Sequence, residues 1–175
     1  MQDAFFAFVS DPTPEHYLAV RRALVSHPDY DPYGDGLRSL RDAYEADEFG
    51  RVPELFAEQV PTLLLSGEAH FILALAHEKA GNDEHCQMEK FLAFRCVSGL
   101  LGTGDGSRER PYLVTSPADE YDVLNALSKQ STMQSLHHEP DGRVLDCQRV
   151  DGGDVWFDVT DAFGAMVRRL GGAAE

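Results

Sequence analysis

The segment from residue 102 to residue 107 has the composition of a loop that binds anions or metal ions. It reads Gly-Thr-Gly-Asp-Gly-Ser, so its backbone amides suit a phosphate, and the carboxylate of Asp105 is a ligand type that Ca²⁺ prefers. However, the segment has neither the lysine of a P-loop nor the ligand spacing of an EF-hand. It also follows a helical pattern, whereas a dinucleotide-binding loop follows a strand. The sequence therefore predicts a structural turn that ends a helix, with Asp105 and Ser107 as the residues that would carry any binding there.

Acidic side chains in the C-terminal half are candidates for paired-carboxylate, acid–base chemistry: Asp119, Glu120, Asp146 and Asp158. Asp119 and Glu120 fall in the first turn of a predicted helix, where the helix dipole favours acids. Asp146 lies in a predicted strand, and we expect Gln134 beside it on the neighbouring strand. Glu120, Asp146 and the adjacent Tyr121 are candidate binding positions, and no residue is assigned a catalytic role.

The seven histidines form no recognised metal motif. His77 and Glu78 are followed by Gly81, where a His-Glu-x-x-His motif needs its second histidine. His137 and His138 are adjacent on a predicted strand, so only one of the two rings can face a given site. No Gly-x-Ser-x-Gly element marks a nucleophilic serine. The sequence predicts no bound metal and no cofactor.

Acidic residues outnumber basic ones two to one in this chain of 175 residues. There are 30 Asp and Glu against 15 Lys and Arg, which gives a net charge of −15 at pH 7. Such a surface repels nucleic-acid backbones and anionic lipid, which argues against both as partners. It favours a basic protein as partner.

The cysteines and the N-terminus indicate a reducing, cytoplasmic environment. Cys86, Cys96 and Cys147 are an odd number without CxxC spacing, so we expect buried thiols and no disulfide framework. The chain begins Met-Gln-Asp, without the positive charge of a signal peptide, and its first apolar run is too short for one. No apolar run approaches the roughly 20 residues of a membrane span.

Residues 1–101 show the hydrophobic period of helices. Thr13 and Pro14 predict the start of one helix, and the prolines at positions 28 and 32 end it. Further helices are predicted from about residue 36, over 53–64, over 67–80 and over 83–101. The predicted apolar faces include Tyr17, Val20, Leu24, Leu37, Leu40, Tyr44, Leu55, Phe56, Val60, Phe71, Leu73, Ala74, Leu75, Met88, Phe91, Leu92, Phe94 and Val97.

A weak internal repeat indicates tetratricopeptide-like hairpins in this region. Leu40 and Tyr44 recur 33 residues later as Leu73 and His77. Gly81 falls at the turn that such a unit needs. Generic helical hairpins give the same spacing, so both interpretations stay open.

Residues 102–175 switch to the alternation of strands. Ser116 and Pro117 predict a helix start, and Thr160 with Asp161 predicts another. Strands are expected over 111–115, 132–138, 143–150 and 155–159. The predicted fold class is α+β: antiparallel helical hairpins over 1–101, then a small, mainly antiparallel sheet with two helices over 102–175, packed together as one globular unit.

An ordered series of short motifs runs through the C-terminal half. It comprises Gly99-Leu100-Leu101, Gly104-Asp105-Gly106-Ser107, Asp119-Glu120-Tyr121, Gln134-Ser135-Leu136 and Phe157-Asp158-Val159. The series resembles an uncharacterised bacterial family, a domain-of-unknown-function group whose members carry a tetratricopeptide-like helical front. The resemblance implies a fold and no particular chemistry.

Three functions are compatible with these patterns. The first is a non-enzymatic acidic module that binds a basic protein, for example an immunity protein or inhibitor of a basic toxin. The second is a hydrolase or metal-dependent enzyme that uses His77 or His137 with Asp105 or Asp146. The third is a scaffold subunit of a larger complex. We expect the first, because the chain is small, strongly acidic and without a catalytic motif.

Overall fold

The computed structural model describes residues 1–172 and has the predicted α+β class, with a helical N-terminal half and a sheet in the C-terminal half. The last three residues of the predicted 102–175 region lie outside the described residues. The helices are α1 (Gln2–Ser10), α2 (Pro14–Val25), α3 (Gly36–Glu45), α4 (Arg51–Glu58), α5 (Gly67–Lys79), α6 (Asp83–Leu101), α7 (Pro117–Ala126) and α8 (Thr160–Gly172). The strands are β1 (Tyr112–Leu113), β2 (Ser131–His138), β3 (Val144–Val150) and β4 (Gly153–Asp158).

Helix α2 begins where the sequence predicts. Thr13 is its N-cap and its side chain accepts a hydrogen bond from the backbone of His16, while Pro14 occupies the first turn. The face predicted from Tyr17, Val20 and Leu24 is completely buried, as expected.

Two helices differ from the sequence predictions. Helix α1 was not predicted; its Phe8 is fully buried and packs edge-on against Tyr17, with 5.4 Å between the ring centroids. Helix α4 ends at Glu58, six residues before the predicted end, because Pro61 has no N–H and disfavours helical backbone at the residue before it.

The sheet is mixed, in the order β1-β4-β3-β2. Strands β2, β3 and β4 form an antiparallel meander, whereas β1 pairs in parallel with β4. The strand predicted over 111–115 contains only two paired residues. Strand β2 lies at the edge of the sheet, and its residues are mostly exposed.

The main hydrophobic core joins residues from both halves of the sequence. It contains Tyr17 of α2, Leu100 of α6 and Phe157 of β4, together with other buried residues of the sheet. A second cluster, around Leu40 and Leu73, lies among α3, α4 and α5. The predicted boundary between residues 101 and 102 stays a prediction.

Candidate functional site

The segment 102–107 is a tight turn whose polar groups bond to one another. The Asp105 carboxylate accepts from the backbone of Ser107 at 3.0 Å, and the backbone N–H groups of Asp105 and Gly106 both donate to the Arg110 carbonyl at 3.0 and 3.2 Å. Hydrogen bonds from Ser107 lower the pKa of the exposed Asp105 carboxyl. A side chain at Gly104 would lie 2.4 Å from the carbonyl oxygen of Pro111, so this glycine permits a close backbone approach. This is the geometry of a structural joint.

Glu120 and Asp146, two of the predicted site residues, come together between α7 and β3. Both are buried, with 2% and 6% of their surface exposed. The Gln148 amide donates to Glu120 Oε2 at 2.7 Å, and the Gln134 amide donates to Asp146 Oδ2, as expected from the strand order. The Ser131 hydroxyl extends the network by donating to the side-chain oxygen Oε1 of Gln148 at 2.5 Å.

Burial and the neighbouring Asp146 shift the pKa of Glu120 towards neutral pH. Burial raises the pKa of Glu120 to about 8, the hydrogen bond from Gln148 opposes that rise, and the charge of Asp146 adds to it. Asp146 Oδ1 is buried and accepts from no donor nitrogen or hydroxyl among the described residues. Glu120 lies within hydrogen-bonding reach of the Asp146 carboxyl, so its protonated form can donate to Asp146. Because both carboxyls are buried, the pair is a structural feature of the core in this state.

Of the residue pairs proposed for an enzyme, the structure separates His137 from Asp146. His137 pairs with Leu145 and Leu136 with Asp146, so His137 and Asp146 project from opposite faces of the sheet. His77 stacks on His85, with 5.1 Å between the ring centroids. Within residues 1–172, no three His, Cys, Asp or Glu side chains are arranged to hold a metal ion. The three cysteines are buried and free, as predicted.

Tyr121 follows Glu120 but lies on a different surface, at a groove between α5, α6 and α7. The groove has a volume of about 700 Å³. Tyr121, Phe71 of α5 and Phe94 of α6 line it and are 54%, 50% and 66% exposed. We call this feature the aromatic groove; it is also lined by Arg41, Gly67, Glu68, Lys90, Ala93, Val97, Asp122, Asn125 and Ala126.

Gly67 brings the walls of the aromatic groove together. A Cβ atom at this position would lie 2.5 Å from Val97 Cγ2 and 2.9 Å from Asp122 Oδ2. Gly67 is the first residue of α5, and Ser66 caps the helix by accepting from the Ala69 backbone at 3.2 Å. The start of α5 therefore packs directly against both α6 and α7.

Asp122, which lines the aromatic groove, forms no salt bridge among the described residues, although the charge of Arg41 acts on it. The two basic residues of the groove are already paired, Arg41 with Glu68 at 2.6 Å and Lys90 with Glu78 at 3.1 Å. Within residues 1–172, the one hydrogen bond that Asp122 accepts comes from the backbone N–H of Glu68, at 3.2 Å. Burial, assisted by the charge of Asp119, raises the pKa of Asp122 to about 7. A cation that entered the groove would stabilise the ionised form of Asp122.

The sequence did not identify the aromatic groove. Phe71 and Phe94 were placed on the apolar faces of their helices, and the structure leaves both exposed, together with Met88 and Phe91 on α6. One signal was present: the apolar residues of α6 cover more of its circumference than a single buried face requires.

Comparison of the chain with family models, curated proteins and solved structures finds no match. The fold and the groove define an α+β protein with an exposed aromatic surface. None of the helices within residues 1–172 combines the length and the hydropathy that a membrane crossing requires.

Proposed function

We propose that this chain is a non-enzymatic binding module whose aromatic groove takes up a cationic, amphipathic segment of a basic protein. The observation that carries the proposal is the exposure of Phe71, Phe94 and Tyr121 around one groove on a protein of net charge −15. Contiguous apolar surface that is open to water is typical of protein interaction sites.

The apolar part of the groove supplies the binding energy. Aromatic rings dominate the energetics of many interfaces, and each half-exposed ring that a partner covers contributes roughly 1–2 kcal/mol. The groove runs between helices, which suits an amphipathic helix that places its apolar face on the three rings.

The charged part of the groove selects a cation. Arg41 and Lys90 are neutralised by Glu68 and Glu78, so a lysine or arginine of the partner would find Asp122 available. The net charge of the whole chain attracts a basic partner at longer range and repels an acidic one.

In its concrete form, the partner is a basic toxin, and this chain is its immunity protein or inhibitor. The small size, the acidity and the lack of a catalytic motif in the sequence support this form. Membership of the tetratricopeptide-like domain-of-unknown-function group and a cytoplasmic location are part of the same proposal.

Calorimetric titration with two synthetic amphipathic helices, one of Lys and Leu and one of Glu and Leu, tests the groove. We expect the Lys/Leu helix to bind, and Phe94→Ser and Tyr121→Ser to weaken its binding about tenfold each, which is about 1.4 kcal/mol. Phe6→Ser is the matched control, because Phe6 is a 62% exposed ring on α1 outside the groove. Equal affinity of all variants, or preference for the Glu/Leu helix, would overturn the proposal.

The hypothesis that this chain inhibits a basic toxin has a separate test. Wild-type protein and the Phe94→Ser variant serve as paired baits for proteins of the source cell, and the neighbouring genes are co-expressed with each. We expect a basic protein that only the wild type retains and whose toxicity only the wild type relieves. A groove that binds the Lys/Leu helix without any such partner would exclude the toxin inhibitor and leave a binding module of another role.

A further inference from the structure

The edge strand β2 offers unpaired backbone groups to a partner. It follows a hairpin in which the Glu139 N–H donates to the Arg143 carbonyl at 2.8 Å, so these two residues form a hydrogen-bonded pair. Such pairs alternate along an antiparallel ladder, which places Ser135 and His137 in hydrogen-bonded pairs with β3. The N–H and C=O groups that point away from the sheet therefore belong to Gln134, Leu136 and His138.

A second hydrogen bond supports this assignment. Val144 pairs with His138, and its carbonyl accepts from the Val159 N–H at 3.0 Å, on the side away from β2. His138 and Val144 are therefore a pair without mutual hydrogen bonds, as the alternation requires. No described strand covers the outer edge of β2.

Strand β2 lacks the charges and prolines that protect many edge strands from pairing, and its one register irregularity lies at Ser131–Met133, away from Leu136. Its eight residues, Ser-Thr-Met-Gln-Ser-Leu-His-His, contain no charged Asp, Glu, Lys or Arg side chain and no proline, although 26% of the chain is charged. Leu136 is 47% exposed. The edge is therefore extended, uncharged and partly apolar.

We infer that a second copy of this chain pairs with β2 in antiparallel orientation about a two-fold axis at Leu136. That register places Leu136 opposite its own copy and Gln134 opposite His138 of the other copy. A two-fold axis brings like residues together, so an uncharged strand suits self-pairing, whereas a cationic partner would need carboxylates along the edge. The edge is separate from the aromatic groove, and the inference does not depend on the proposed function.

Substitution of Leu136 tests the inference, because a charge at this position would lie opposite the same charge on the other copy in the dimer. Light scattering of wild-type protein over a concentration series should show a mass that rises from 19.4 kDa to twice that value. Leu136→Lys and Leu136→Glu should each remain monomeric, and a mixture of the two should recover the dimer. Met133→Lys, on the other face of the same strand, should leave the dimer intact.

Hydrogen exchange adds a residue-specific measurement. The amides of Gln134, Leu136 and His138 should become protected only at concentrations where the dimer forms, whereas those of Ser135 and His137 should be protected in the monomer. A wild-type monomer at all concentrations, or a dimer that Leu136→Lys leaves unchanged, would overturn the inference. So would a monomer whose outward amides are protected only on addition of an extended Lys-rich peptide, since the edge would then belong to a basic partner.

Discussion

Glu120 shows how a single side chain makes stability depend on pH. Its pKa in the folded state is about 8, against an ordinary value of 4.5, so the folded protein binds more protons than the unfolded chain between these values. The free energy of unfolding should therefore fall as pH rises from about 5 to about 9. Asp119 and Asp122, whose pKa values burial also raises, act in the same direction.

Replacement of Glu120 by glutamine should flatten this pH dependence. In Glu120→Gln, the amide oxygen still accepts from Gln148 and the amide nitrogen supplies a donor for Asp146 Oδ1. We expect stability close to that of the wild type at pH 5 and a gain of about 2 kcal/mol at pH 9, measured by urea unfolding. Glu109→Gln, at an exposed position, is the control. Parallel pH profiles for Glu120→Gln and the wild type would show that the pKa of Glu120 is not raised on folding.

At the scale of elements, Arg21 connects the helical half to the sheet half. This residue of α2 is 7% exposed. Its guanidinium donates to the carbonyls of Leu113 and Val114 at 3.1 and 3.0 Å and to Asp161 of α8 at 2.8 Å. One side chain therefore satisfies two carbonyls at β1 and fixes the start of α8.

Loss of Arg21 should weaken the whole fold. Arg21→Ala leaves the two carbonyls without their donors, so we expect a loss of about 3 kcal/mol in the free energy of unfolding, measured with urea. Arg21→Lys should lose less, because the ammonium still reaches one acceptor but does not match the fork of the guanidinium. Arg22→Ala, at the next and exposed position, should stay within about 0.5 kcal/mol of the wild type. If Arg21→Ala changed the free energy of unfolding as little as Arg22→Ala, the hydrogen bonds of Arg21 would not be needed for stability.

The elements that local sequence signals specify were predictable. Caps and prolines marked the starts of α2 and α7, and alternation marked β3 and β4. Helix α1 has no side-chain cap, and Phe8 holds it by packing on Tyr17, a tertiary contact that no local pattern records. The parallel pairing of β1 likewise depends on how the chain returns through α7, β2 and β3.

One contact of the candidate site was predictable from the sequence, whereas the aromatic groove was not. Strand register placed Gln134 beside Asp146, because both lie in well-marked strands. The aromatic groove was missed because periodicity identifies the apolar face of a helix but not whether another element covers it. Phe94 is apolar in the sequence, yet it is 66% exposed in the structure.

At the scale of the whole molecule, the net charge of −15 acts differently on the two proposed contacts. Association of the groove with a cationic segment should slow as salt is added, because screening shortens the range of attraction. Pairing of two copies through β2 should strengthen with salt, because the same screening reduces repulsion between two acidic chains. Measurements over one salt series therefore distinguish binding at the aromatic groove from dimerisation through β2.

The pH dependence of groove binding follows from Asp122, which Glu68, Arg41 and Asp119 face from α5, α3 and the start of α7. Only the ionised carboxylate attracts a cation, so the affinity for the Lys/Leu helix should rise as pH increases from about 6 to about 8. Asp122→Asn keeps an acceptor for the Glu68 backbone and should bind about tenfold more weakly at pH 8, with no rise across this range. Calorimetry at fixed ionic strength measures both effects, with Asn125→Asp as a control that adds a carboxylate of ordinary exposure to the same wall. An unchanged pH profile in Asp122→Asn would mean that the groove recognises its partner through the aromatic rings alone.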